Sequence, residues 1–181
     1  PILTNSQFKK FKKFFSKKTK VIDCTFDISS SLKERIEAIR EEAETSVREG
    51  STCLILSDKN ISNQKASIPS ILVVGAVHSY LVKHGLRGYC SLNVECSDSL
   101  DTHSFAVLIG VGATTVNPYL AIDSIYQRFE KKLFGKSDFE SCVIKFKKSI
   151  DAGLLKIMSK MGISVISSYR GGCNFDAVGL S

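Results

Sequence analysis

Five short runs of strand-forming residues, beginning near residues 21, 53, 89, 114 and 163, are each separated from the next by a stretch with helical periodicity. Strands joined through helices cannot form tight hairpins. They enter a sheet in parallel through right-handed crossovers. The run Thr52 to Leu56 is almost wholly apolar, as a strand covered on both faces must be. The expected class is therefore α/β, built of parallel strand-helix repeats. Periodicity alone leaves two forms open, part of an eight-fold (β/α) barrel and an open doubly wound sheet.

Residue chemistry places the elements. Val21 to Phe26 reads as a strand ending at Asp27, and Ser31 with Glu34 three residues on is a capping box for a helix to Arg48. Leu32, Ile36, Ile39, Ala43 and Val47 form its apolar side, and Gly50 stops it. Pro69 opens a helix on which Ile71, Val74, Val77, His78 and Leu81 share a face. A strand over Tyr89 to Glu95 and a helix from Asp101 follow, with His103, Ala106, Val107 and Gly110 towards one neighbour. Thr114 to Val116 is a short strand, Tyr119 to Phe134 a helix, and Asp138 caps a further helix running through Ile150 to Met161. After Gly162 the pattern predicts a strand over Ile163 to Ile166, a polar loop Ser167 to Gly172, and a last helix from Cys173 to Val178.

At 181 residues and 43% hydrophobic, the chain is long enough for one core and short for two. Residues 1–20 read as a basic amphipathic lead-in and residues 21–181 as a single α/β domain. The lead-in holds seven lysines and no acid, so 18 basic residues face 18 acidic ones in the remainder. A balanced body does not suit a nucleic-acid reader, and no nucleic acid is expected as a partner. Phe8, Phe11, Phe14 and Phe15 lie at helical spacing among the lysines. They suit either a helix packed on the domain or a membrane-surface or nucleic-acid arm. Neither an apolar run long enough for a membrane span nor a secretory h-region is present in the sequence, and a cytoplasmic or organellar (stroma or matrix) protein is expected. The six cysteines lack zinc or cluster spacing and read as reduced, mostly core thiols.

Parallel α/β folds collect their chemistry beyond the carboxyl ends of the strands. Those ends supply Asp27, Ser57, Asp58, Glu95, Asn117, Ser168 and Arg170. The set has acids and amides but no nucleophile beside a base, so no catalytic, cofactor or metal ligand is assigned. Asp58, His78, His103, Asn117 and Arg170 stand as polar or interface candidates. Turn and cap roles explain Asp58 and Asn117 as well as catalysis does, and His78 on an apolar face suits a hydrogen-bonded core histidine. Arg170 before Gly171-Gly172 could help hold an anion at a helix start, or pair with an acid elsewhere.

Gly153 to Ser164, with Ser168-Tyr169-Arg170-Gly171 and Phe175 to Leu180, closely resembles the large subunit of glutamate synthase where its central domain leads towards the flavin domain. Leu56-Ser57-Asp58, Ile68 to Leu72, Gly75-Ala76-Val77-His78, Gly85-Leu86-Arg87 and Gly112 to Leu120 resemble further blocks in the family's order. Ser79, Tyr80, Leu100 and Ser104 depart from it, standing where the family often has histidine or arginine. The resemblance implies a partial (β/α) barrel. It also implies a parent enzyme that makes two glutamates from glutamine, 2-oxoglutarate and reductant, using FMN and a 3Fe-4S cluster. In that enzyme this segment would be a non-catalytic connector whose partners are the glutaminase and FMN domains of the same chain. A stand-alone partner-binding scaffold, a surface binder using Lys9 to Lys20, and a small phosphate- or flavin-binding enzyme are the rival readings.

Overall fold

The computed structural model describes residues 1–176, 178 and 179. In chain order the elements are α1 (Asn5–Phe14), β1 (Thr19–Asp23), β2 (Thr25–Asp27), α2 (Leu32–Arg48), β3 (Cys53–Ser57), β4 (Lys65–Ser67) and α3 (Ser70–Lys83). They continue with β5 (Ser91–Glu95), α4 (Thr102–Gly110), β6 (Thr115–Asn117), α5 (Tyr119–Glu130), α6 (Phe139–Lys160) and α7 (Ile166–Tyr169). The main sheet is wholly parallel, in the order β1-β3-β5-β6. Strand order never turns back on itself, which is the winding of a barrel arc and lacks the reversal of a doubly wound sheet. β2 and β4 form a separate antiparallel pair. Ile2 bridges in parallel to Val116, so the start of the chain lies along the β6 edge.

Register and the two-residue period divide the sheet into unlike faces. Ile22, Leu54, Leu56, Leu92, Val94 and Val116 join the main core under the crossover helices. The opposite face carries Cys53 and Ile55 but also Ser57, Asn93, Glu95, Thr115 and Asn117. α1 lies over that face, with Phe8 buried against Cys53 and Ile55. Phe14, by contrast, is 82% exposed. The amphipathic helix expected in the lead-in thus divides its phenylalanines between sheet and solvent.

Several features differ from the sequence reading. The run Val21 to Phe26 is not one strand: it is divided between β1 and β2, which lie in different sheets, and the Asp23 carboxylate accepts from Thr25 N and Oγ1 where the chain leaves the parallel sheet to pair with β4. The run Ile163 to Ile166 is not a strand. Met161 and Gly162 (φ +71°) close α6 in a Schellman turn, with Ile163 N donating to Met158 O at 2.9 Å and Gly162 N to Ser159 O at 3.1 Å. The chain is thereby turned away from the sheet and α7 forms, with Tyr169 as its fully buried anchor. No helix follows over 173–176, where Cys173 takes a left-handed φ of 52°. The part of that expected helix at residue 177 lies outside the described residues. α5 ends at Glu130 because Lys132 turns left-handed (φ 56°) and Leu133 N reaches back to Arg128 O. Lastly, Ile71 faces outwards at 45% exposure, and Val73 takes its place in the core.

Candidate functional site

The carboxyl ends of β3, β5 and β6 converge on Glu95, the last residue of β5. Its side chain is 4% exposed, a costly position for a carboxylate unless every lone pair is matched. Lys12 from α1 supplies Nζ at 2.9 Å to both oxygens, Ser57 donates Oγ at 2.7 Å, and Lys59 Nζ lies 3.1 Å from Oε1. Burial pushes the Glu95 carboxyl up, but hydrogen bonds from Lys12 and Ser57 outweigh it and hold the group below its ordinary value. The result is a clasp: a charge-assisted bond from α1 into the mouth of the sheet.

Asp58 and Asn117 flank this clasp. Asp58 is 3% exposed; Ser97 donates to its Oδ2 through N at 2.9 Å and Oγ at 2.6 Å, which fixes the loop after β5. Tyr119 stands beside it, its phenol raised by burial and then by the Asp58 charge. Asn117 donates Nδ2 to Leu3 O and to Asn5 Oδ1, both at 3.0 Å, stitching the start of the chain to β6. Below them Asn93 bonds Leu54 O and accepts from Thr115 Oγ1. The place where parallel α/β proteins assemble their chemistry is therefore covered here by a helix and by bonds among its own polar groups, with Asp58 Oδ1 left buried without a donor. Asp27, also expected at this edge, belongs to the separate β2-β4 pair and is exposed.

His78, His103 and Arg170 lie away from this edge, on helix α3, on helix α4 and after α7. Arg87 donates Nε to His78 Nδ1 at 3.0 Å, and its other nitrogens donate to Cys90 O at 2.6 Å and Gly112 O at 2.8 Å. The imidazole is packed so closely that a Cβ at either Gly112 or Gly171 would strike it. Burial, then the Arg87 charge, lowers the His78 pKa, which favours a neutral ring that accepts at Nδ1. His78 is thus a half-buried histidine held by a hydrogen bond from Arg87. His103 meets the edge of Phe175 at 6.3 Å between ring centres. Arg170 has its Nε buried without an acceptor. The helix start that an anion at Gly171-Gly172 would need is not formed over 173–176, which removes the premise of that reading.

Lys12 and Arg87 were not among the candidate side chains read from the sequence, although Arg87 lies in a block that carries the resemblance. Neither partner of Lys12–Glu95 has a spacing signal, being 83 residues apart. The residues present do not fit an iron–sulfur cluster. Five of the six cysteines are buried, with Cys24 and Cys96 pushed up to about 12 by burial, and no group of three or more His, Cys, Asp or Glu could hold a metal among the described residues. No described helix is long and apolar enough to cross a membrane.

Comparison with known proteins agrees with this architecture. A double mutant of flavocytochrome b2 with pyruvate bound has a similar, barrel-type fold, with a TM-score of 0.55 over 78% of this chain and 35% of that one at 15% identity. The chain is 50% identical along its whole length to the glutamate synthase (NADPH) large chain of Azospirillum brasilense and 40% identical to that of Bacillus subtilis. It is also 41% identical over 85% of its length to the ferredoxin-dependent glutamate synthase of Pyropia yezoensis, of which it covers 11%. It spans about 12% of the length of the two bacterial relatives. The family described as glutamate synthase central domain matches residues 1–181. The chain belongs to that family and is the central domain, in part or whole, of a glutamate synthase large subunit.

Proposed function

We propose that this domain is a non-catalytic connecting segment of glutamate synthase. The parent enzyme makes two glutamates from glutamine, 2-oxoglutarate and reductant. The segment holds the glutaminase and FMN domains of the same chain in register and helps to shield ammonia on its way between them. FMN and the 3Fe-4S cluster belong to other parts of that enzyme, and the domain shares its compartment, cytoplasm or organellar stroma or matrix. The observation that carries this reading is the clasp at Glu95. A carboxylate matched by Lys12, Lys59 and Ser57, under a helix that covers the sheet mouth, is arranged for rigidity.

The test uses the full-length large chain carrying Phe8→Ala with Lys12→Ala, which removes the ring and the cation holding α1 on the sheet. The expected outcome is continued glutamine hydrolysis with less glutamate formed per glutamine consumed. An unchanged ratio in a folded enzyme rejects the positioning role.

A further inference from the structure

α3 is composed like a helix that has no solvent side. Lys83 is the single Lys, Arg, Asp or Glu among its 14 residues, and a helix that is apolar all round belongs in an interior. Its inner stripe, with Val73, Val74, Val77 and Leu81, is buried. Its outer stripe runs through Ile71, Gly75, Ser79 and Val82, and Ile71, Leu72 and Val82 are 45%, 42% and 53% exposed. α4 is also free of Lys, Arg, Asp and Glu, and Phe105 to Gly110 of it are buried. α2, whose outer side does face water, shows Lys33, Glu34, Glu41 and Arg48 there.

Gly75 is an independent sign of a missing neighbour. A glycine inside a helix costs stability relative to alanine and calls for a packing reason. The other helical glycines have one in this chain: a Cβ at Gly110 would strike the Phe175 ring, and one at Gly153 would strike Thr102. A Cβ at Gly75 meets nothing within 4 Å. Two hollows of about 630 Å³ each lie against the outer stripe and share Gly75, Ser79 and Lys83. Arg40, Lys83 and His84 line one of them, while Asp176 stands with Lys83 in the other. Arg40 Nε is buried without an acceptor, and neither Arg40 nor Lys83 has an acidic partner among the described residues.

We propose that the outer face of α3 is a docking surface for an α-helix from another part of the same large chain. The occupant carries an apolar or small-residue stripe that seats on Gly75 and Ser79, flanked by Asp or Glu that pair with Arg40 and Lys83. This rests on the domain working inside a longer polypeptide, as its relatives do, and not on the coupling role.

The experiment is carbene footprinting of the native full-length large chain, followed by zero-length carboxyl-to-amine cross-linking. Docking predicts loss of labelling at Ile71, Leu72 and Val82 to the level of buried Val74. It also predicts a link from Lys83 to an Asp or Glu of the same polypeptide outside these 181 residues. Gly75→Leu, which has open space within this domain, is expected to restore the labelling without changing that of Val74. Labelling of the stripe at the level of exposed Leu155 overturns the proposal, and a link from Lys83 to a second copy overturns the assigned occupant. Loss of coupling in the α1 variants with the stripe still protected would leave this inference standing, so the two readings fail separately.

Discussion

Glu95, which is buried, and His78, which is half-buried, are ionisable groups whose protonation the fold opposes in different ways. Glu95 is held ionised by its donors, so its folded pKa lies below the unfolded value of about 4.3. Its contribution to stability is complete above that value and is lost as pH falls through the folded one. Denaturant melts from pH 7 down to pH 3 should show an acid loss that Glu95→Gln reduces; an identical pH profile would contradict the clasp. His78 is held neutral, with a folded pKa below the unfolded value of about 6.5, so its contribution is present above that value and fades as pH falls. Exchange of the imidazole C2 hydrogen, read by mass spectrometry against pH, should give His78 a midpoint below the value of about 6.5 of an unperturbed imidazole. At this scale the sequence was informative about single residues and silent about pairs. The strand-end positions of Asp58, Glu95 and Asn117 and the helix-face position of His78 could be read from the sequence. Lys12 did not, because nothing in a lysine-rich run distinguishes the one cation that reaches Glu95.

Helix contacts govern the next scale. α6 crosses α4 closely because Gly153 leaves room for Thr102. Gly153→Ala should therefore cost about 1–3 kcal/mol through overpacking, despite alanine's better helix propensity. Denaturant melts check this, and a gain in stability would contradict the contact. Tyr169 anchors α7 by full burial and by donating its hydroxyl to Ala106 O at 3.1 Å. Tyr169→Phe should cost about 1 kcal/mol for the lost bond, and Tyr169→Ala about 3–5 kcal/mol by analogy with other buried aromatic truncations. The alternation of β1, β3, β5 and β6 with α2, α3 and α4 was readable because each apolar run is bounded by caps and stops, whereas the antiparallel β2-β4 pair, with three residues in each strand, left no such pattern. The expected strand at Ile163 to Ile166 failed because a four-residue apolar run looks the same whether it pairs in a sheet or packs as a turn. The Schellman closure at Gly162 decided the matter.

For the molecule as a whole, unidirectional strand order and a polar inner face make this central domain a parallel arc, with its own first helix clasped across that face. The resemblance to glutamate synthase was legible in long ungapped blocks, whereas the filling of the sheet mouth was not, since it depends on residues brought together from opposite ends of the fold. In the connecting role proposed above, the strand-end carboxylate of Glu95 is structural. Its most direct test is the steady-state kinetics of the full-length enzyme carrying Glu95→Gln, which keeps the shape and an acceptor but removes the charge. With a structural Glu95, kcat for glutamate formation stays within a few-fold of the native enzyme, with the acid-side stability altered as above. A fall on the order of 10²–10⁴ in kcat in a folded enzyme, the size expected for loss of a general acid or base, would make Glu95 a catalytic residue and contradict it.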